Sequence, residues 1–290
     1  MEEPKVARRS DAITFVVFTL NEEARIEWAI KNFQSWGRVL VVDNYSSDKT
    51  VDIARSFGCD VLLNKNQGWV EDLITTDRVK AAVQTEWIYW GFADELVEAH
   101  TMNAILDAVE CGKYSIVNVA RKNYFYGQFC HDAFADRMNR VFKKDAIDFS
   151  KNTIHQFGSV TVPEQEMKYL NISKYYVHHF NLYYAKNYLG TMDRYSDVEA
   201  RQSAQDKSRL PDAAKILILI AKTAKILAVN YLFKGGYKAG TAGFMLSLEG
   251  VYYRWLLAMK VYELQHGLDA AGIEERNNRV RSELMSGRQR

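Results

Sequence analysis

The sequence predicts an α/β protein built on a mostly parallel sheet with helices on both faces, and two observations carry that expectation. From Ile13 to about Val119, short apolar runs alternate with longer helical stretches, which is the rhythm of βαβ units. The apolar runs are continuous and rich in β-branched residues rather than alternating with polar ones, so their strands are expected to be covered on both faces. With 290 residues, 48% of them hydrophobic, the chain can bury one large domain or one domain and an appendage.

Taken in order, the first strand is expected in the run from Ile13 to Phe18. It is too short for the apolar segment of a secretory signal. A helix near Glu22 to Trp36, a strand at Val39 to Val42, a helix near Lys49 to Phe57 and a strand at Cys59 to Leu63 complete βαβαβ. Further strands are expected at Glu86 to Phe92, Ser115 to Val119 and Arg140 to Lys143, with a helix over Ala99 to Glu110, so that roughly the first 150 residues form a Rossmann-like unit. The expected division is a tail over 1–11, a main domain over 12–210, a helical hairpin over 211–266 and a polar stretch over 267–290, either a solvated helix or a frayed tail.

The hairpin is the odd part of the chain. Residues 213–233 are long enough to span a bilayer, yet Lys215, Lys222 and Lys225 fall within about 80° of one another on a helical wheel. A lysine at the bilayer centre costs roughly 2.5–3.5 kcal/mol, so one cationic stripe on an apolar helix suits the membrane interface better than a span. A second apolar segment, Phe244 to Leu264, follows a glycine-rich turn. The alternative is a hairpin packed on protein.

Formal charge is only +2, from 38 basic and 36 acidic residues, which gives no global electrostatic case for nucleic acid. Cys59, Cys111 and Cys130 are widely spaced and odd in number. They fit neither a disulfide framework nor a metal site, and a reducing cytoplasm is the simpler expectation.

Open parallel sheets bind ligands beyond the carboxyl ends of their strands, where polar loops meet helix N-termini. Two such loops occur early: Thr19-Leu20-Asn21-Glu22-Glu23 after the first strand, and Asp43 to Thr50 after the second. Asp43, at a strand end, is suited to accept hydrogen bonds from a base or ribose, whereas Asp48 is placed to cap the helix behind it.

The two loops, FTLNEE at Phe18–Glu23 and VVDNYSSDKT at Val41–Thr50, resemble the opening motifs of the family 2 inverting glycosyltransferases, whose fold is GT-A. That resemblance implies a nucleotide pocket lined by Thr19, Asn21, Glu22, Asp43, Asn44 and Ser46, with Asp43 facing the base, commonly uracil, and hence a UDP-sugar as the favoured donor. The stretch Gln84 to Glu95 is similar to the family's strand ending in Asp-x-Asp, which holds Mg²⁺ or Mn²⁺ against the departing diphosphate. Here Phe92 stands at the first acidic position and Asp94 at the second. Two alternatives follow: Asp94 holds the cation with Glu95, water and the diphosphate, or Arg78 and other cations meet the leaving-group charge. Arg78 resembles an arginine found in the preceding helix of relatives.

Farther on, Arg137 to Lys144 and then Asn152 to Gln156 are similar to a stretch of the branch that includes glucosyltransferases of lipopolysaccharide core assembly. Gln156 occupies the usual glutamate position, so the base that takes the acceptor proton is sought among Asp94, Glu95, His155, Glu164 and Glu166. His178 and His179 are adjacent, so on a strand they face opposite ways and only one can enter a site. The branch also has a helix like Tyr188 to Ala200 and a helical hairpin. The implied protein is an inverting hexosyltransferase acting on a glycan or lipid-linked acceptor in lipopolysaccharide or surface polysaccharide synthesis, cytoplasmic and peripheral on the inner face of the membrane. A silent member that binds a nucleotide sugar or scaffolds a partner is the alternative, motivated by Phe92 and Gln156. A nucleotidyltransferase is disfavoured, because its glycine-rich phosphate loop has no counterpart in FTLNEEARIEW.

Overall fold

The strands of the first unit order themselves around β1 (Ile13–Thr19), every residue of which is buried apart from partly exposed Phe18. It pairs in parallel with β2 (Arg38–Asp43) on one side and β4 (Trp87–Phe92) on the other. The apolar runs are continuous because α1 (Ile26–Gln34) covers one face with Ile26, Ala29, Ile30 and Phe33, while Val16, Val42, Ile88 and Trp90 enter a second core on the opposite face. Helix α2 (Thr50–Ser56) leads to β3 (Asp60–Leu63), and α3 (Leu73–Ala82) precedes β4. Strand β5 (Glu95–Val97) and helix α4 (Ala99–Glu110) come next, followed by β6 (Ile116–Phe125), β7 (Gln128–Cys130) and β8 (Asp136–Lys143). Strands β9 (Ile147–Asp148) and β10 (Ser159–Val160) make a separate antiparallel pair. The unit closes with β11 (Met167–Tyr169) and β12 (Tyr176–His179).

The main sheet has ten strands in the order β3-β2-β1-β4-β8-β6-β12-β5, with β7 and β11 also paired to β6. It is parallel from β3 to β4, and β8 enters antiparallel between β4 and β6. The α/β expectation holds, and the helix at Ala99–Glu110 falls where it was expected. Strands β6 and β8 run well beyond their expected ends at Val119 and Arg140. Their extra residues include charged ones, and cross-strand pairing neutralises two of them: Arg121 lies opposite Asp136 and bonds it through Nε at 3.2 Å and Nη2 at 2.6 Å.

This is a computed structural model, and it describes residues 8–66, 71–130, 135–150, 152, 157–180, 184–204 and 212–286. The chain divides into two compact units, 1–184 and 185–290, so the boundary falls before α5 (Ala185–Ser203) rather than at 210. In the second unit α5 is tied to α7 (Gly240–His266): Lys260 donates to Asp193 at 2.7 Å and to Asp197 at 2.5 Å. Helix α6 (Asp212–Ala228) continues into a π-helical stretch, Val229–Phe233, before the turn into α7. That hairpin depends on two glycines, because a Cβ on Gly243 would lie 1.8 Å from the Gly236 carbonyl oxygen. The polar C-terminal stretch is helical as α8 (Ala270–Met285), capped by the Asp269 carboxylate on the Gly272 N–H at 2.7 Å.

Candidate active site

The β1/β2 register sets Thr19 beside Asp43, so the two polar turns leave the sheet at the same edge. They interlock there. The Asn21 N–H donates to Ser46 Oγ at 2.8 Å, the Ser47 N–H donates to Asn21 Oδ1 at 2.8 Å, and the Glu22 N–H donates to Thr50 Oγ1 at 2.7 Å. Asp48 takes the Thr50 N–H at 3.0 Å and the Glu23 N–H at 3.0 Å, which makes it a cap for α2 and a clamp on the first turn. Asn21 and Tyr45 both adopt positive φ, +55° and +59°. Asn tolerates that region, but a tyrosine held there is uncommon and marks a turn fixed by its surroundings.

Several residues expected to contact a nucleotide are committed inward instead. Asp43 is fully buried, and its carboxylate accepts from Thr19 Oγ at 2.8 Å, Ser46 Oγ at 2.5 Å and the Ser46 N–H at 2.8 Å. It fixes the pocket's frame and does not face outward toward a base. Asn44 exchanges two bonds with the Asn66 backbone, at 2.8 and 2.9 Å, and so tethers the exit of β3. Arg78 donates to Asn64 Oδ1 at 2.7 Å and to the Leu63 carbonyl at 2.8 Å, which ties α3 to that exit rather than leaving the guanidinium free for a diphosphate. The side chain standing out from the second turn is Tyr45, 59% exposed.

Beside these turns, the end of β4 carries Asp94. Its Oδ2 lies 3.2 Å from His179 Nε2 and 3.8 Å from Arg25 Nη1. Arg25 in turn makes a paired contact with Glu22, at 2.6 and 2.7 Å, while His179 Nδ1 meets Asn123 Oδ1 at 2.6 Å. Burial pushes the Asp94 carboxyl upward, but the hydrogen bond and charge of His179, with Arg25 and Arg121, outweigh it and hold the group below the usual aspartate range. Glu22 is pushed the other way, up to about 6, chiefly by burial and further by Asp94, against the pull of Arg25. Two neighbouring carboxylates thus differ in proton affinity, a pattern frequent in active sites. A cleft of about 200 Å³ opens here, lined by Arg25, Trp28, Ala93, Asp94, Leu96 and Phe180.

Glu95 does not share the exposed role expected of it. It is fully buried, and it grips equally buried Arg140 through two bonds of 2.5 and 2.6 Å. It also accepts the Phe92 N–H at 3.3 Å, closing the turn that presents Asp94. A carboxylate so paired is a structural anchor, neither a base nor a cation ligand. Phe92, at the position where the resemblance has an acid, packs against Phe18 with ring centroids 5.9 Å apart and lies 6.0 Å from the Arg140 guanidinium carbon. Glu164 and Glu166 belong to a short 3-10 turn at the start of β11, where Glu166 accepts from Ser115 Oγ at 2.5 Å. Ser115 precedes β6, whose first residues pair through β8 with the beginning of β4, so both glutamates sit at the opposite edge from Asp94. His155 lies outside the described residues.

The two histidines of β12 do diverge. His179 joins Asp94, and His178 contacts Glu98 at 2.8 Å and the Tyr124 hydroxyl at 3.2 Å. Arg25 was missed as a site residue, and the sequence left open which of His178 and His179 enters the site. Arg25 had a local signal, since it stands three residues beyond Glu22 at the start of a helix. His179 reaches the site only because β12 pairs antiparallel with β5, opposing His179 to Glu95.

The fold and the edge cluster define an α/β protein with a largely apolar cleft, bordered by Asp94 and Arg25, at the carboxyl end of its parallel strands. No family model matches the chain. Among solved structures, it is similar to TarS 1-349 of S. aureus, in complex with UDP-GlcNAc, at 12% identity over 88% of this chain and 91% of that one, with a TM-score of 0.46. It is also similar to the mannosyltransferase PcManGT of Pyrobaculum calidifontis, in complex with GDP-Man and Mn²⁺, at 15% identity over 92% and 90%, with a TM-score of 0.39. A third is glucosyl-3-phosphoglycerate synthase of Mycobacterium tuberculosis, in complex with Mn²⁺ and UDP-glucose, at 14% identity over 67% and 78%, with a TM-score of 0.43. At these identities and TM-scores no residue role passes from those proteins to this chain.

Proposed function

We propose that this chain is an inverting, nucleotide-sugar-dependent hexosyltransferase of the GT-A type, acting on a hydroxyl of a glycan or lipid-linked acceptor. One observation carries the reading: the interlocked turns at Asn21 and Ser46 and the Asp94–His179–Arg25 cluster share one edge of the sheet. The turns whose sequences resemble the family's nucleotide motifs are therefore neighbours of the group that the chemistry requires.

In this reading the turns cradle the nucleotide, with exposed Tyr45 available to stack on the base and Asp43 holding the frame from beneath. The diphosphate lies toward Arg25 and Asp94. The acceptor oxygen attacks the anomeric carbon as the bond to the diphosphate oxygen breaks, which inverts that centre in one displacement. Asp94 is held ionised at neutral pH on the leaving-group side, and the proton of the attacking hydroxyl leaves on the opposite face, to a base other than Asp94. Arg25 and His179 supply positive charge where the leaving group gains negative charge.

A divalent cation fits the donor set in part. Among the described residues, no group of three His, Cys, Asp or Glu side chains gathers to hold one. Asp94, with His179 in reach, would hold one flank, the remaining positions falling to diphosphate oxygens and water, as is common for Mg²⁺. Such an ion would supply charge neutralisation of the leaving diphosphate; Glu95 is already spent on Arg140.

The second unit supports a place at the inner face of a membrane, where a lipid-linked acceptor is presented. Asp212–Phe233 is long and apolar enough to cross a bilayer, and none of its most apolar window is buried. Ile216, Leu217 and Ile220 are 58%, 66% and 58% exposed. The lysines on the same helix favour the interface over a span.

The test is a thermal-shift screen of UDP-, GDP-, ADP- and TDP-sugars, each with and without Mg²⁺ or Mn²⁺, followed by transfer assays with any donor that binds. Stabilisation by at least one donor, with turnover abolished in Asp94→Ala, is expected. Tight donor binding without turnover on any acceptor would favour the silent reading, and no donor response at all would remove the proposal.

A further inference from the structure

Between α6 and α7 lies a cleft of about 630 Å³ with an apolar floor, made chiefly by Leu219, Ile226, Val229, Leu257 and Val261. Three cations border it: Lys222, Lys225 and Arg254. Among the described residues, Lys222 and Lys225 make neither a hydrogen bond nor an ion pair. Arg254 has one carboxylate partner, Glu199 at 3.2 Å, and Glu199 also accepts from Tyr253. Among the described residues, three positive charges thus meet a single negative one around an apolar hollow.

A hollow of that kind matches an amphiphile with an anionic head. An aliphatic chain laid along the floor would move from water onto apolar surface, which is favourable. A phosphate at the rim would gain charge-assisted bonds from lysine and arginine, which are about twice as strong as neutral ones. An acidic peptide would satisfy the cations but leave the floor uncovered, and a free anion would leave it wet. The uncovered apolar residues of α6 lie on the same helix that supplies Lys222 and Lys225, so a membrane holding that helix would bring lipid to this cleft.

We propose that the α6–α7 cleft binds one phosphate-bearing membrane lipid, its chain on the apolar floor and its phosphate among Lys222, Lys225 and Arg254. The site rests on the interfacial reading of the hairpin and not on the transferase chemistry. It deepens that reading from a diffuse surface attraction to a single ligand position next to the membrane.

The experiment titrates the full chain with dihexanoyl phosphatidic acid below its micelle concentration, with dihexanoyl phosphatidylcholine and inorganic phosphate as parallel probes, reading thermal stability and calorimetric stoichiometry. Phosphatidic acid is expected to bind one per chain. Lys222→Gln/Lys225→Gln should weaken it at least tenfold, and the charge-matched pair Lys234→Gln/Lys238→Gln should leave it unchanged. Equal losses in both pairs would mean a general surface field and overturn the site. Equal binding of inorganic phosphate would remove the lipid chain from the proposal, and no saturable binding would refute it outright. A donor thermal shift run on the same samples separates the two readings, because loss of lipid binding with an intact donor response counts against this site alone.

Discussion

Replacing Glu95 with glutamine removes the charge from one side of an ion pair in which both side chains have no exposed surface. The guanidinium of Arg140 would remain in the core, facing the Trp90 carbonyl at 3.2 Å and the Met138 sulfur at 3.3 Å, with no ionised acceptor among the described residues at bonding distance. Breaking a buried pair by losing one partner costs about 3–5 kcal/mol. For a unit of this size, 1 kcal/mol moves the melting temperature by about 2–4 °C, so Glu95→Gln should lower it by roughly 6–20 °C. The double variant Glu95→Leu/Arg140→Met, which removes both charges at similar volume, should recover most of that loss, because such replacements are often neutral or stabilising. Calorimetry or urea titration of the wild type, the single variant and the double variant reads the outcome directly. If Glu95 were a base or cation ligand, Glu95→Gln would keep its melting temperature within about 2 °C of the wild type and lose turnover, and that result would refute the anchoring argument.

Other outcomes follow from the same geometry. Asp43→Ala leaves the Thr19 hydroxyl and the Ser46 N–H without their acceptor and should cost on the order of 3 kcal/mol, whereas Asp48→Ala, a partly exposed cap, should cost about 1 kcal/mol; urea midpoints compare the two. His179→Asn removes the partner that holds Asp94 low, so the acid limb of the kcat profile should move to higher pH, and an unmoved limb would show that the contact does not tune Asp94. Glu249 in α7 is raised to about 8 by burial, so its contribution to stability is full below about 4.5 and is lost as pH rises toward 8. Glu249→Gln should therefore be more stable than the wild type at pH 8, by on the order of 1–2 kcal/mol after discounting for its partial exposure, and no difference at either pH would contradict the burial argument. Gly243→Ala should disrupt the α6–α7 hairpin, since its methyl group would collide with the Gly236 carbonyl, and limited proteolysis across 229–243 would report the opening.

What could be read along the chain was what short-range chemistry writes there. A run such as Ile13–Thr19 is a buried strand because no polar residue interrupts it, and the polar residues that follow can only leave the sheet as a turn. Because β1 and β2 are parallel and each ends in such a turn, the meeting of Asn21 with Ser46 was already implied by a β-turn-α repeat. Asp48 as a cap was legible for the same reason, since its partners lie within the two turns.

The tertiary structure decided which acidic groups face solvent and which are spent inside. Glu95 and Asp94 are neighbours in sequence with similar expectations, but one points into the core at Arg140, 45 residues away, and the other into the cleft toward His179. Asp43 and Arg78 were likewise read as ligand contacts because their residue types suit that chemistry, and the structure ties both to nearby backbone and hydroxyl groups. For Glu95 and Asp94 the physical reason is the same. Backbone propensity and turn chemistry act over a few residues and are written locally. The charge state, exposure and partner of a side chain depend on strands such as β5, β6, β8 and β12 that are brought together only when the sheet closes.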